Sequence, residues 1–144
     1  MEKKIIIHTD GGSRGNPGPA AIGVTIESHD HDPQAPKWMK KYKERIGIET
    51  NNVAEYKALI KALAEAKKIL KKESKATDLE ARMDSELIVK QMVGEYRVKD
   101  ANLRVLFDEA QKLIPNFKSV RFLHIPRENN KEADKLVNEA LDGI

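Results

Sequence analysis

The sequence predicts a mixed α/β fold in which strands and helices follow one another in the order βββαβααβα. Three strand-like segments lie near the start of the chain with short connections, and two later strand segments are joined to the rest through amphipathic helices. No internal repeat, low-complexity stretch or linker divides the 144 residues. Strands joined by short loops pair antiparallel, whereas strands joined through helices lie parallel. We therefore expect one mixed sheet with helices packed on it, in a single domain of residues 1–144.

The first three strands are predicted at residues 3–9, 20–28 and 37–49. Ile5, Ile6 and Ile7 follow one another in the first segment, which indicates a strand buried on both faces. Asp10 is predicted to end this strand, because the run GGSRGNPGP that follows has the glycines and prolines of a turn. Residues 29–36 are predicted to form a polar loop, and the alternating third strand completes an antiparallel meander.

The strongest helix is predicted at residues 52–72, where apolar residues recur at helical spacing and Thr50 or Asn51 can cap the start. A short strand at 79–84 and a short helix at 85–93 follow, and residues 94–100 interrupt the pattern. A third helix carries apolar positions between 103 and 114, and a fifth strand at 120–125 stops before a proline. The last helix is predicted from about residue 130 onward.

Composition narrows the class of protein. The chain has no cysteine, which excludes disulfides, thiolate zinc sites and a cysteine nucleophile. The N-terminal run MEKKIIIHTD is too short in apolar residues for a signal peptide or a membrane span. We therefore expect a soluble cytoplasmic protein that does not contact a membrane, and we expect a monomer without a protein partner. A net charge of +3 is compatible with a nucleic-acid partner but does not require one.

Four carboxylates, Asp10, Glu55, Asp84 and Asp134, are the candidate catalytic and metal-binding residues. Asp10 and Asp84 each end a predicted strand, and ligand sites in open α/β sheets form at strand ends. Glu55 and Asp134 are expected in the first turns of their helices, on the packed side. Acidic residues in the first turn of a helix often serve only as caps, so neither Glu55 nor Asp134 alone would be good evidence for a metal site. If all four converge, they form an oxygen-rich site suited to Mg²⁺ and phosphodiester chemistry.

The runs around these acids resemble the type 1 ribonuclease H family over essentially the whole chain. TDGGSRGNPGP resembles the first strand-turn motif of that family and supplies Asp10, and TNNVAEY resembles its TNN-x-x-E motif and supplies Glu55. MDSE resembles the D-S element with Asp84, and NNKEAD the N-x-x-x-D element with Asp134. Four motifs in the same order are far more specific than any one of them.

The resemblance implies a ribonuclease H-like five-stranded mixed sheet with flanking helices, and hydrolysis of the RNA strand of RNA/DNA hybrids. It also implies two Mg²⁺ ions, with Mn²⁺ as a substitute. Asp10 would bridge both ions, Glu55 and Asp84 would hold one of them, and Asp134 would hold the other. The expected products carry a 5′-phosphate and a 3′-hydroxyl.

The residues around the acids are the candidate contacts with the hybrid. The small residues after the first acid let the backbone approach a minor groove closely. By resemblance, the two asparagines before Glu55 read the minor groove, and the threonine before them belongs to a pocket for a DNA phosphate. In isolation these runs would be an ordinary turn and a helix cap. The expected substrate-binding residues are Gly12, Ser13, Asn16, Thr50, Asn51 and Asn52.

The chain departs from many members of the family in three places. The loop before the last acid, IPRENNKEAD, lacks the histidine that some members use in product release, so Arg127 or Glu128 is a candidate replacement. Glu86 stands where many relatives carry glutamine. The basic, tryptophan-bearing protrusion is also missing. The basic residues left between the second and third helices are Arg97, Lys99 and Arg104.

Three functions remain open at this point. The leading one is a metal-dependent endoribonuclease acting on RNA/DNA hybrids. A non-catalytic nucleic-acid-binding relative is the second, favoured by the missing histidine and opposed by the presence of all four acids. The third is a nuclease of the same fold that acts on another duplex, such as double-stranded RNA; the TNN and GNPG runs favour the hybrid instead.

Overall fold

The computed structural model describes residues 3–29 and 36–144, and this part of the chain contains five strands and four α-helices. The strands are β1 (Lys3–Ser13), β2 (Gly18–His29), β3 (Trp38–Glu49), β4 (Thr77–Met83) and β5 (Ser119–His124). The helices are α1 (Asn51–Leu70), α2 (Glu86–Met92), α3 (Ala101–Leu113) and α4 (Lys131–Asp142). Short 3₁₀ turns lie at Lys71–Ala76, Ile114–Asn116 and Arg127–Asn129. The polar loop predicted between β2 and β3 lies almost wholly outside the described residues.

The five strands form one sheet in the order β3-β2-β1-β4-β5. The pairs β1–β2 and β2–β3 are antiparallel, and the pairs β1–β4 and β4–β5 are parallel. The predicted antiparallel meander followed by helix-linked parallel strands is therefore confirmed. Because β1, β4 and β5 run in the same direction, their carboxyl ends meet at one edge of the sheet, where the candidate acids lie.

Most element boundaries differ from the prediction by one or two residues, and the ends of β1 and α1 differ for clear physical reasons. β1 does not end at Asp10 but continues to Ser13, because residues 10–13 remain paired with residues 20–23 of β2. Asp10 instead marks the point where β1 separates from β4, since Thr9–Met83 is the last pair between these strands. α1 ends at Leu70 rather than at residue 72, because Lys71 adopts a positive φ of 54° that cannot continue the helix.

Helices cover both faces of the sheet. α1 packs on β1 and β2 with α3 against its outer side, and α4 packs on the opposite face, mainly over β2 and β3. The larger core lies on the α1 side and includes Ile5, Ile7, Leu59, Leu63 and Leu79. A smaller cluster of Ala21, Val137 and Ala140 lies beneath α4. No helix within residues 3–29 and 36–144 is both long and apolar enough to cross a membrane.

Candidate active site

Three of the four candidate carboxylates meet at one edge of the sheet. Oxygen atoms of Asp10, Glu55 and Asp84 all lie within 4.8 Å of one another. Asp10 and Asp84 are neighbours because each directly follows the last residue pair of β1 and β4, Thr9–Met83. Glu55 reaches them from α1. It is the fifth residue of that helix, so its predicted place in the first turn is wrong by one residue.

Two glycines allow the acid-bearing helices to approach the sheet. A Cβ atom at Gly11 would lie 2.2 Å from the carbonyl carbon of Ala54, the residue that precedes the α1 acid. A Cβ atom at Gly23 would lie 2.2 Å from the carbonyl oxygen of Ala133, which precedes the α4 acid. Real side chains do not fit at such distances, so each glycine permits a close contact between helix and strand. Gly23 is also the β2 partner of Asp10, so both contacts are made beside the same acid.

Burial and like charge make the metal-free cluster electrostatically unfavourable. Burial, and then the Asp84 carboxylate, raises the pKa of Asp10 from 3.8 to about 7, and a hydrogen bond with Glu55 opposes this rise. Burial followed by the charge of Asp10 also raises the pKa of Glu55, although the Gly11 amide donates a hydrogen bond to its carboxylate. A cation bound between these oxygens would remove the repulsion.

Asp134 lies outside the group of three but lines the same cavity. It is in the first turn of α4, as predicted, where the helix dipole favours a negative charge. Its carboxylate is 3.8 Å from the guanidinium of Arg127. Arg127 lines the cavity too, whereas Glu128 lines a different cavity on the other side of the loop.

Asn130 ties the acid-bearing elements together, a role that the sequence did not predict beyond the N-x-x-x-D motif. It is only 1% exposed, and its amide donates a hydrogen bond of 2.9 Å to the main-chain oxygen of Thr9, next to Asp10. Its own main-chain oxygen accepts from the amide of Asp134 at 3.1 Å. Burial raises the pKa of Asp84, and a hydrogen bond from Asn130 opposes that rise. One buried residue thus contacts β1 and the end of β4 through its side chain and the start of α4 through its main chain.

The acids lie in an open cavity of about 490 Å³. Of the six predicted substrate-binding residues, four line this cavity: Gly12, Ser13, Asn51 and Asn52. The other two, Asn16 and Thr50, line an adjoining cavity that Asn52 also borders. The structure therefore places the six residues around two neighbouring depressions rather than one.

Asn51 and Asn16 fasten the turn after β1 to the start of α1. The Oδ1 atom of Asn51 accepts hydrogen bonds from the amide and the hydroxyl of Ser13, at 2.9 and 3.1 Å. The Asn51 amide in turn donates to Oδ1 of Asn16 at 3.0 Å. Thr50 caps α1 by accepting from the amide of Val53 at 3.3 Å, as its position in the sequence predicted.

The departures noted in the sequence have clear structural counterparts. Only residues 93–100 lie between α2 and α3, so no protrusion extends from this part of the molecule. Glu86 is half-exposed and forms an ion pair of 2.8 Å with Lys90 on the same helix. His124 is the last residue of β5, where it pairs with Met83, and it is exposed.

Comparison with known proteins identifies the family. A family profile described as "Reverse transcriptase-like" matches residues 8–140. The crystal structure of RNase H1 from the archaeon Halobacterium salinarum superposes with a TM-score of 0.85 at 40% identity, covering 98% of this chain and 99% of that one. LC11-RNase H1, isolated from compost and solved in complex with an RNA/DNA hybrid, superposes with a TM-score of 0.86 at 46% identity, covering 96% and 97%. The chain belongs to the type 1 ribonuclease H family.

Membership of the type 1 ribonuclease H family accounts for the sheet order and for the carboxylate cluster at its edge. The family also includes longer proteins. The bifunctional protein Rv2228c of Mycobacterium tuberculosis is 42% identical over 139 residues, which is 96% of this chain but 36% of the relative. The chain thus spans about a third of the length of the mycobacterial proteins that it matches.

Proposed function

We propose that the protein is a metal-dependent endoribonuclease that hydrolyses the RNA strand of RNA/DNA hybrids. The observation that carries this proposal is the convergence of Asp10, Glu55 and Asp84 within 4.8 Å at the floor of an open cavity. The cavity is open to solvent and has a volume of about 490 Å³, and a relative with 46% identity has been crystallised with an RNA/DNA hybrid.

The donor set fits Mg²⁺. Every candidate ligand is a carboxylate oxygen, which is the ligand type that Mg²⁺ prefers and that Mn²⁺ also accepts. We assign Asp10, Glu55, Asp84 and Asp134 as the residues that hold two such ions, with Asp10 shared between them. Ions held there would supply an activated water molecule and would neutralise the charge that develops on the phosphate. The products are then a 5′-phosphate and a 3′-hydroxyl.

The side chains around the acids determine how the hybrid is oriented. Because Ser13 donates twice to Oδ1 of Asn51, the amide orientation of Asn51 is fixed and its Nδ2 group is directed elsewhere. Among the described residues Nδ2 of Asn51 has no acceptor, so its two N–H groups are available to acceptors in the minor groove. The 2′-hydroxyl of RNA is one such acceptor, and it distinguishes RNA from DNA.

The adjoining cavity suits the DNA strand. Thr50 uses a lone pair of its hydroxyl to cap α1, which leaves the O–H group free to donate to a phosphate. Asn16 holds the adjacent turn in place, and Lys57 lines the same cavity, where it forms an ion pair of 3.6 Å with Glu49. A duplex whose RNA strand lies over the carboxylates would place its other strand on this side of Asn52, which borders both cavities.

One assay tests the proposal and separates it from the two alternatives. Labelled RNA/DNA, RNA/RNA and DNA/DNA duplexes are incubated with the protein in Mg²⁺, in Mn²⁺ and in EDTA. We expect cleavage of the RNA strand of the hybrid alone, and only with a metal. Binding of the hybrid without cleavage in either metal would identify a non-catalytic relative. Equal cleavage of RNA/RNA would refute the substrate assignment.

A further inference from the structure

The charges that line the acid cavity are unbalanced for a site that binds a polyanion. Among the described residues, the lining contains four carboxylates but only two cationic side chains, Arg127 and Arg14. Arg127 lies beside Asp134, 3.8 Å from its carboxylate. Arg14 lies in the turn that follows β1, and its side chain is 49% exposed. The sequence motifs assign no role to the side chain of this arginine.

We infer that Arg14 binds a phosphate of the RNA strand at a distance from the cleaved bond, an inference that rests on the proposed function. Its guanidinium is held along α4, 2.7 Å from a carboxylate oxygen of Asp142 and 3.5 Å from Oδ1 of Asn138. The Nδ2 group of Asn138 donates to the main-chain oxygen of Asp134 at 3.1 Å. The arginine is therefore connected through one side chain to the helical turn that carries a candidate metal ligand.

The position of these residues on α4 determines which phosphate Arg14 reaches. Asn138 and Asp142 follow Asp134 by about one and two helical turns. Leu141, next to Asp142, also lines the cavity. For an RNA strand that runs along α4, about 1.5 Å per helical residue and about 3.4 Å per nucleotide of duplex place the guanidinium about two to four nucleotides from the metal ligand. Arg14 would thus grip the RNA strand beyond the scissile phosphate.

The existing ion pair does not prevent this role. Both partners of the Arg14–Asp142 pair are about half exposed, at 49% and 47%, and exposed pairs of this kind contribute little to stability. A guanidinium forms two parallel hydrogen bonds with a phosphate, and these are stronger than a solvent-screened pair with one carboxylate oxygen. Asp142 therefore holds the free arginine in place and competes only weakly with the strand.

The experiment compares Arg14→Ala, Arg14→Lys and Asp142→Asn, each in an Asp10→Asn background that prevents cleavage. If Arg14 binds a phosphate, Arg14→Ala weakens hybrid binding roughly three- to tenfold and lowers the slope of log affinity against log salt by about 0.9. Arg14→Lys recovers part of the affinity, because lysine restores the positive charge but cannot form the two parallel hydrogen bonds of a guanidinium. Asp142→Asn binds at least as tightly as its parent, because the asparagine oxygen can still accept a hydrogen bond from the guanidinium while the competing charge is removed.

A purely structural role for Arg14 predicts a different pattern. In that case Arg14→Ala and Asp142→Asn weaken binding equally, in step with a lower melting temperature, and the salt slope does not change. Lys68→Ala is the matched control, because Lys68 is an exposed, ion-paired cation at the far end of α1. Wild-type salt slope and affinity in Arg14→Ala would overturn the inference. Failure of the parent to bind the hybrid at all would instead overturn the proposed function.

A second measurement locates the contact. Single phosphates of the RNA strand are replaced by uncharged methylphosphonates in a hybrid that is cut at one position. We expect one replacement, about two to four nucleotides from that position, to weaken binding by the parent but not by Arg14→Ala. If every replacement affects both proteins equally, Arg14 has no phosphate partner and the inference is wrong.

Discussion

Asp10 is the residue on which the carboxylate cluster depends most. It lies where β1 separates from β4 while still paired with β2, so its side chain faces Asp84 from the neighbouring strand. Gly11 and Gly23 bring the two acid-bearing helices up to the same point. A substitution of Asp10 therefore tests the whole carboxylate cluster without altering the backbone that positions it.

We expect Asp10→Asn to reduce cleavage by more than about 100-fold, beyond the usual loss from outer-shell partners of a metal. The substitution keeps the size of the side chain but removes its negative charge from the carboxylate cluster. The rate is measured in single-turnover cleavage of a labelled hybrid, and binding is measured in parallel and should persist. Asp108→Asn, an exposed acid on α3, is the control. Near-normal cleavage by Asp10→Asn would refute the shared-ligand assignment.

Arg127 is the better candidate of the two for the role of the missing histidine, because it lines the acid cavity and Glu128 does not. Its guanidinium beside Asp134 can attract the new 5′-phosphate and draw it away from the carboxylates. We therefore expect Arg127→Ala to slow multiple-turnover cleavage severalfold more than single-turnover cleavage. Glu128→Ala should leave the ratio of the two rates unchanged. Equal rates for Arg127→Ala and wild type in both regimes would exclude the role.

At the scale of elements, hydrophobic periodicity predicted the order and type of every strand and α-helix, because those patterns are local. The end of β1 was not predictable, since Gly11 to Ser13 are strand only through pairing with β2. The contact between Asn130 and the main-chain oxygen of Thr9 joins positions 121 residues apart, and no local pattern encodes it. The four acids were recognisable from their motifs, but Arg14 was not, because its position on the cavity rim depends on α4.

The close packing of α1 on β1 yields a prediction at this scale. Gly11→Ala would bring Cβ to 2.2 Å from the carbonyl carbon of Ala54, so α1 must shift and carry Glu55 away from Asp10. We expect a loss of about 1–3 kcal/mol of stability, typical of overpacking, and a large loss of activity. Gly12→Ala is the matched control for stability, because its Cβ would meet only Val137 at an ordinary 3.7 Å. Urea denaturation measures both variants, and equal stabilities would show that α1 adapts without cost.

For the molecule as a whole, the main electrostatic feature is that the fold brings three carboxylates together at one edge of the sheet. The net charge of +3 conceals this, because the basic residues are distributed over the exposed surface while the three clustered acids are buried or half-buried. Proteins maintain such a cluster when a ligand neutralises it, so the stability of this molecule is linked both to pH and to metal.

The direction of that linkage follows from Asp10. Burial and the charge of Asp84 raise its pKa from 3.8 to about 7, so folding favours its protonated form. The resulting contribution to stability is fully present below pH 4 and is lost as the pH rises through about 7. His8 acts in the opposite direction, because burial lowers its pKa and the folded state loses stability as the pH falls. The effect of Asp10 therefore has to be isolated as a difference between two proteins.

We expect Asp10→Asn to be as stable as wild type near pH 4 in EDTA and more stable by roughly 1–3 kcal/mol at pH 8, the scale of one to two pKa units. Urea denaturation from pH 4 to pH 8 gives this difference, in which His8 and the surface acids cancel. The asparagine also removes the charge beside Glu55, so the difference in stability between the two proteins reports on Asp10 and Glu55 together. Adding Mg²⁺ at pH 8 should stabilise wild type more than the variant, because only wild type has the complete ligand set. A difference that does not change with pH would show that the buried carboxylates do not oppose folding, and the electrostatic reason for a metal at this site would be lost.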